Sequence, residues 1–144
     1  MKLSKKGEYA LRAMIALARS GDKAMTITQV ATTQDLPKKF LEQILLALKA
    51  AGLVRSKAGP KGGYELAESP RKVSVGRILK AVEEPISSES PGLSKPSDLA
   101  PTGVLALFED IRHYVRQKLE TLTLQELADQ AVSDEDVEAL MWYI

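Results

Sequence analysis

Four polar residues lie near the start of a segment with helical periodicity. They are Lys38, Lys39, Glu42 and Gln43. On a helix, their spacing places Lys39 and Gln43 opposite Leu41, with Lys38 and Glu42 flanking them. Lysine can bind guanine, glutamine can bind adenine, and glutamate can accept from the amino group of cytosine. Because recognition helices contact bases through their N-terminal residues, this pattern predicts that these four side chains read base edges. A merely solvated helix face is the alternative interpretation.

Two further segments carry basic residues suited to a nucleic-acid backbone. A glycine-rich turn over 57–63 would let its backbone approach a sugar-phosphate chain, and a proline at its tip suits a minor groove; the residues assigned to this contact are Lys57, Gly59, Pro60 and Lys61. The candidate phosphate contacts on the predicted first helix are Lys5, Lys6, Tyr9 and Arg12. Phosphate contacts orient a protein without reading sequence. For Tyr9, a place in the hydrophobic core is an equally good interpretation.

The charge is distributed unevenly along the chain. Residues 1–80 hold 16 Lys and Arg against 6 Asp and Glu, a balance of +10, whereas residues 81–144 hold 4 against 13, a balance of −9. The formal net charge of +1 conceals this asymmetry. A basic half joined to an acidic half indicates a polyanion-binding region attached to an acidic body.

Other chemistries find little support in the residues. The chain has no cysteine, which excludes thiolate nucleophiles and cysteine-based metal sites. Its one histidine, His113, has no evident nucleophile or ligand nearby in the sequence. The turn over 59–63 lacks the Lys-Ser/Thr ending of a phosphate-binding loop. We therefore expect neither an enzyme nor a bound cofactor or metal.

The composition is typical of a globular protein. The chain has 144 residues, of which 44% are hydrophobic and 27% charged. No apolar run approaches the roughly 20 residues of a membrane span, and no signal-peptide core follows the first lysines. We expect a cytoplasmic protein with no membrane contact.

Local signals predict a winged helix-turn-helix. A first helix over about 5–19 is followed by a short helix that starts at the capping box of Thr26 and Gln29 and ends near Asp35. A longer helix opens at Pro37 and closes before Gly52. Its apolar residues at helical spacing predict a buried face of Leu41, Ile44, Leu45 and Leu48. Strands on either side of the turn over 57–63 then form a hairpin, the wing.

A long helix is predicted after a linker rich in serine and proline, and a second capping box, of Thr123 and Glu126, predicts a short helix after it. The apolar residues of the long helix step by three and four, typical of a helix that pairs with another; the residues assigned to dimerisation are Val104, Phe108, Ile111, Val115 and Leu119. The predicted fold is mainly α with a small β-hairpin. Its regions are a DNA-binding domain over 1–83, a linker over 84–102, and a helical dimerisation region over 103–144 with an extra C-terminal helix.

The chain resembles the Rrf2 family of bacterial winged-helix regulators over about residues 1–130. The segments that carry the resemblance are MKLSKKGEYA at 1–10, FLEQI at 40–44, GLV at 52–54 and GPKGGY at 59–64. The resemblance implies a homodimeric transcription factor that binds double-stranded DNA and whose long helices form the dimer core. It also implies base contacts by Lys39, Glu42 and Gln43 and a minor-groove contact by Pro60.

The chain departs from the family pattern at three places. One is the segment over 132–144, which continues beyond the usual helical core and would extend the dimer interface or offer a partner site. Many members hold an iron–sulfur cluster through three cysteines in the segment matching about 86–103, which here has none. Glu8 matches a carboxylate ligand of some relatives, but without thiolates we interpret it as an ordinary helix residue. Ala58 stands where relatives often carry a wing arginine, which weakens groove contact or shifts it to Lys57 or Lys61.

The leading hypothesis is a repressor without a cluster that binds a pseudo-palindromic operator as a homodimer. Two routes to its regulation stay open: a small-molecule effector in the dimer body, or a regulatory enzyme that docks on the acidic half, as in the cysteine-metabolism branch that the resemblance suggests. The alternative function is a protein-interaction adaptor that keeps the winged helix and no longer binds DNA. The basic first half argues against the adaptor.

Overall fold

The computed structural model describes residues 3–83 and 103–131. Their elements are, in order, α1 (Lys5–Arg19), α2 (Ile27–Gln34), α3 (Lys38–Ala50), β1 (Val54–Lys57), β2 (Gly63–Leu66), α4 (Val75–Val82), α5 (Gly103–Thr121) and a further helical stretch, α6, over 124–131. The predicted linker over 84–102 and the predicted helix from Asp134 lie outside the described residues. Residues 3–83 and 103–131 are mainly helical with one antiparallel hairpin, which confirms the predicted fold class.

The ends of the first helices follow their local sequence. The Ser4 hydroxyl accepts from the Gly7 N–H at 3.0 Å and caps α1, and Thr26 and Gln29 form the predicted capping box of α2. Asp35 ends α2 in the left-handed conformation, with φ 51°. The expectation that Pro37 is the first residue of α3 is wrong by one position. Its ψ of 118° is extended, so it is the N-cap, and its carbonyl accepts the N–H of Leu41 at 3.0 Å.

The core lies where α1, α3 and α4 pack on one another. The predicted inner face of α3 is confirmed, since four of its side chains are almost fully buried: Leu41, Ile44, Leu45 and Leu48. Ala10, Ala13 and Met14 of α1 and Ile78 of α4 belong to the same core. No charged or polar residue is buried among residues 3–83 and 103–131, so the core depends on apolar packing.

The wing is tied to the body by a contact that the local sequence does not predict. Strand β1 pairs antiparallel with β2, with Arg55 opposite Glu65. Tyr64 on β2 also pairs with Met25, which precedes α2, through hydrogen bonds of 2.9 Å and 2.7 Å. A Cβ on Gly63 would lie 2.4 Å from the Met25 carbonyl oxygen. Only glycine therefore allows the two backbones to approach at this point.

Helices α5 and α6 differ in how they attach to the rest of the chain. The backbone at the junction of α5 and α6 hydrogen-bonds to the start of α4: the Val75 N–H donates to the Leu122 carbonyl at 2.9 Å, and the Leu124 N–H donates to the Val73 carbonyl at 2.8 Å. Leu124 is fully buried in the common core, whereas α5 has no buried residue. Thus α6 anchors the end of α5, and most of α5 faces outward.

The start of α6 has the second predicted capping box. The Thr123 N–H donates to the Glu126 carboxylate at 2.8 Å, and the Glu126 N–H donates back to the Thr123 hydroxyl at 3.2 Å. Hydrogen bonds from the Thr123 backbone and side chain lower the pKa of Glu126 below its ordinary value. Because they favour the ionised carboxylate, the cap is strongest when Glu126 is charged.

Candidate nucleic-acid interface

The outer face of α3 carries all four predicted base-reading residues. Lys38, Lys39, Glu42 and Gln43 are exposed, while the opposite side of the helix is buried. Within the described residues none of these four side chains forms a hydrogen bond or ion pair with the protein. The two lysines also stand at the positive end of the helix dipole, which attracts anions. The exposed polar groups of this face are therefore available to contact a polyanion.

The N-terminus of α3 is supported by an aromatic contact. The rings of Tyr9 on α1 and Phe40 on α3 meet edge to face, with centroids 5.6 Å apart and planes at 89°. Tyr9 is half-buried against the core. The ring that the sequence offers as a phosphate contact therefore packs within the protein and fixes the position of α3, which agrees with the alternative interpretation of Tyr9 as a core residue.

The remaining candidate phosphate contacts on α1 have different surroundings. Glu8 forms ion pairs with Lys5 at 3.1 Å and with Arg12 at 3.6 Å. Arg12 is half-buried and also donates to the Gln34 carbonyl at the end of α2. Lys6 is half-buried and has no such partner within the described residues. Arg12 thus joins α1 to α2, and Lys5 shares its charge with a carboxylate in a weak surface pair.

The wing presents its candidate contact residues in the open. Lys57, Gly59, Pro60 and Lys61 are all exposed, and Gly59 has a left-handed φ of 102°. At its base, Arg55 pairs across the strands with Glu65 at 2.7 Å. The turn is thus held by its strands while its two lysines project freely.

Three further features of this surface add to the contacts assigned from the sequence. The Lys49 ammonium donates to the Ser56 hydroxyl at 2.9 Å and joins α3 to β1. Phe40 supports α3 from outside the core through its contact with Tyr9. Leu46 is 61% exposed on the face of α3 that carries Gln43. Only Leu46 left a signal in the sequence, because it falls opposite Leu41 in the helical period.

The outward side of α5 is apolar. Its exposed large hydrophobic residues are Val104, Leu107, Phe108, Ile111 and Tyr114; we call these the α5 apolar face. Of the residues predicted for dimerisation, Val104, Phe108 and Ile111 belong to this face, while Val115 and Leu119 are half-buried. The Leu119 backbone lies against Gly76 of α4, where a Cβ on the glycine would be 3.1 Å from the Leu119 oxygen. The C-terminal end of α5 therefore packs on its own chain.

The residues present do not fit an iron–sulfur cluster. Such clusters are held by cysteine thiolates, and the chain has no cysteine. Within 3–83 and 103–131, no three His, Asp or Glu side chains are grouped closely enough to hold a metal ion. Glu8, the carboxylate singled out by the resemblance, is paired with Lys5 and Arg12 instead. In the same ranges, no helix is both long and apolar enough to cross a bilayer.

Comparisons with known proteins agree with the fold described above. The model of the Rrf2 family, described as iron-dependent transcriptional regulators, matches residues 3–130. The transcriptional regulator CymR of Bacillus subtilis is 37% identical over 145 residues, covering all of both chains. The structure of CymR, the global cysteine regulator of B. subtilis, superposes with a TM-score of 0.75 at 35% identity, covering 90% of this chain and 98% of that one.

The structure of a second relative, a regulator with a different name, is also similar to that of this chain. T. potens IscR superposes with a TM-score of 0.73 at 31% identity, covering 91% of this chain and 88% of that one. The family match and the likeness over the whole length show that this chain belongs to the Rrf2 family and is a DNA-binding transcriptional regulator with a winged helix-turn-helix.

Proposed function

We propose that the protein is a repressor that binds a pseudo-palindromic operator as a homodimer and reads base edges with Lys38, Lys39, Glu42 and Gln43. The observation that carries this proposal is the outer face of α3. Its polar side chains are exposed and free of internal partners among the described residues, while the inner face is fixed in the core. A rigid helix with free donors and acceptors is what major-groove readout requires.

Backbone contacts orient this helix in the proposal. The wing residues Lys57, Gly59, Pro60 and Lys61 enter or border the minor groove, and Lys5 and Lys6 bind phosphates from α1. Tyr9 and Arg12 already have partners within the protein, so their phosphate contacts would be made in addition to these. Such contacts would contribute affinity without sequence preference.

The α5 apolar face supports the homodimer. Large apolar side chains exposed in a row along a helix indicate an interface, and the heptad-like spacing of Val104, Phe108 and Ile111 suits a second copy of the same helix. A two-fold dimer would place two α3 helices about one turn of DNA apart, roughly 34 Å. This spacing is the geometric reason to expect a palindromic operator.

Binding is tested by selecting duplexes from genomic fragments, including the region upstream of the protein's own gene, and measuring affinity across a salt series. We expect Lys39→Ala and Glu42→Ala to change which duplex is preferred. Lys5→Ala should weaken binding to all duplexes alike and reduce the salt slope by about 1, the value for a single phosphate that is no longer neutralised. Equal reductions in affinity on every duplex for all three variants would contradict the assignment of base readers.

Repression is tested separately from binding. Transcription in vitro from a promoter that overlaps the selected operator should fall as protein is added, and increased transcription would identify an activator instead. In this proposal the protein is not an enzyme and acts in the cytoplasm, where its DNA target lies. The two routes of regulation, an effector molecule or a docked enzyme, stay open; co-purification from the native cell followed by mass spectrometry distinguishes them.

A further inference from the structure

One large apolar side chain interrupts the polar outer face of α3. Leu46 is 61% exposed, although the neighbouring Leu45 is completely buried. It follows Glu42 by four residues and Gln43 by three, so it lies on the same side of the helix as both. Leu46 does not belong to the hydrophobic core, where Leu45 and Leu48 supply the buried contacts of this turn.

The major groove offers a specific complement to an apolar side chain. Its base edges present hydrogen-bond donors and acceptors, with the C5-methyl group of thymine as the apolar exception. Leu46 lies about 6 Å along the helix axis from Glu42, since each residue advances the helix by about 1.5 Å. With Glu42 and Gln43 on base edges, Leu46 would therefore face a neighbouring base pair. A phosphate would gain nothing from contact with a leucine.

We propose that Leu46 is a specificity-determining residue that contacts the methyl group of a thymine next to the bases read by Glu42 and Gln43. This inference rests on the proposed function of α3 as the base-reading helix. It adds to that function a position of the operator at which recognition is apolar. The operator should then carry a thymine at that position.

The test removes single methyl groups from the DNA. In the highest-affinity duplex selected by the wild-type protein, each thymine is replaced in turn by deoxyuridine, which keeps the hydrogen-bonding edge and lacks the methyl group. We expect one thymine of each half-site to stand out, with an affinity loss of about fourfold, the value for exposing one buried methyl group. All other replacements should leave the affinity nearly unchanged.

A double-mutant cycle connects the methyl group with the side chain. Leu46→Ala should bind the thymine duplex more weakly than the wild type and be insensitive to deoxyuridine at the same position, because the leucine that meets the methyl group has been removed. Leu46→Met, which keeps an apolar chain of similar length, should retain the sensitivity. The thermal midpoints of both variants should match the wild type, which separates readout from folding.

Two results would overturn the inference. One is a wild-type protein that binds its selected duplex with no deoxyuridine-sensitive thymine; the other is a sensitivity that Leu46→Ala shares in full, since the methyl would then act through DNA shape. Either result leaves the base-reading proposal for Glu42 and Gln43 standing. Failure to select any duplex would instead remove the proposed function, and this inference with it.

Discussion

Helices α3 and α5 have similar amphipathic patterns and opposite environments. The apolar side of α3 is buried in the core of its own chain, and its polar side faces outward without internal partners in the described residues. In α5 no residue is buried, and the exposed side is the apolar one. An apolar stripe alone therefore does not show what a helix packs on, since the same pattern is buried within its own chain in α3 and exposed in α5.

The two helices are also held in the protein in different ways. The orientation of α3 is fixed by Leu41, Ile44 and Leu45 from inside and by the Tyr9–Phe40 contact from outside. Helix α5 is attached at its C-terminal end, through Leu119 on Gly76 and through Leu124 in the core. A partner on the free part of α5 would thus be connected, through α6 and α4, to the body that orients α3.

Substitution of two adjacent leucines of α3 should give the largest difference. We expect Leu45→Ala to lower the free energy of unfolding by about 2–5 kcal/mol, because it leaves a cavity in the core. Leu46→Ala should change it by less than about 0.5 kcal/mol, since Leu46 is exposed. Thermal or urea unfolding measures both. Similar destabilisation of the two variants would show that the outer face of α3 is covered in the native state.

An acidic residue in the α5 apolar face should separate association from folding. We expect Ile111→Asp to shift the protein to monomers and to weaken operator binding by about 100-fold, because a dimer interface does not tolerate an unpaired buried charge. Its secondary structure should be unchanged, because Ile111 is exposed in its own chain. Light scattering after size-exclusion chromatography and duplex titration measure the two effects.

Ala106→Asp is the matched control for that substitution. Ala106 is exposed on α5, and its helical position lies away from the apolar face. This variant should keep the association state and operator affinity of the wild type. If it dissociates as readily as Ile111→Asp, the interface lies elsewhere on α5 and the contrast with α3 does not hold.

The parts of the structure that the sequence predicted are those set by neighbouring residues. The period of Leu41, Ile44 and Leu48 gives the buried face of α3, and the spacing of Thr26 and Gln29 gives the start of α2, since both patterns depend on residues within one or two turns. The sequence predicts Pro37 as the first residue of α3, whereas it is the N-cap. The fixed φ of proline suits both positions, and only its extended ψ shows that Pro37 precedes the helix.

The contacts that the sequence did not predict join distant segments. The hydrogen bonds between Met25 and Tyr64 depend on how the wing folds back on the body. Arg12 is equally suited by its chemistry to a phosphate or to a backbone carbonyl, and its position beside the end of α2 gives it the carbonyl of Gln34. Spacing along the chain assigns a residue to a face of a helix, and three-dimensional packing decides what that face meets.

The smallest effect concerns the cap that anchors α5 through α6. Hydrogen bonds from Thr123 lower the pKa of Glu126 in the folded protein, so ionised Glu126 stabilises the native state. That contribution is complete above the pKa of the unfolded chain, about 4.3, and is lost as the pH falls through the lower, folded value. The carboxyl resonance of Glu126, followed by NMR, should therefore titrate below the ordinary glutamate range.

Glu126→Gln tests whether the charge or only the hydrogen bond matters. Glutamine still accepts from the Thr123 N–H but cannot titrate, so the fall of the thermal midpoint below about pH 5 should be shallower in this variant than in the wild type. Thr123→Val, which removes the hydroxyl and keeps the N–H donor, should leave part of the slope. A slope unchanged in Glu126→Gln would show that the charge of the carboxylate does not stabilise α6, and that the attachment of α5 does not depend on the ionised cap.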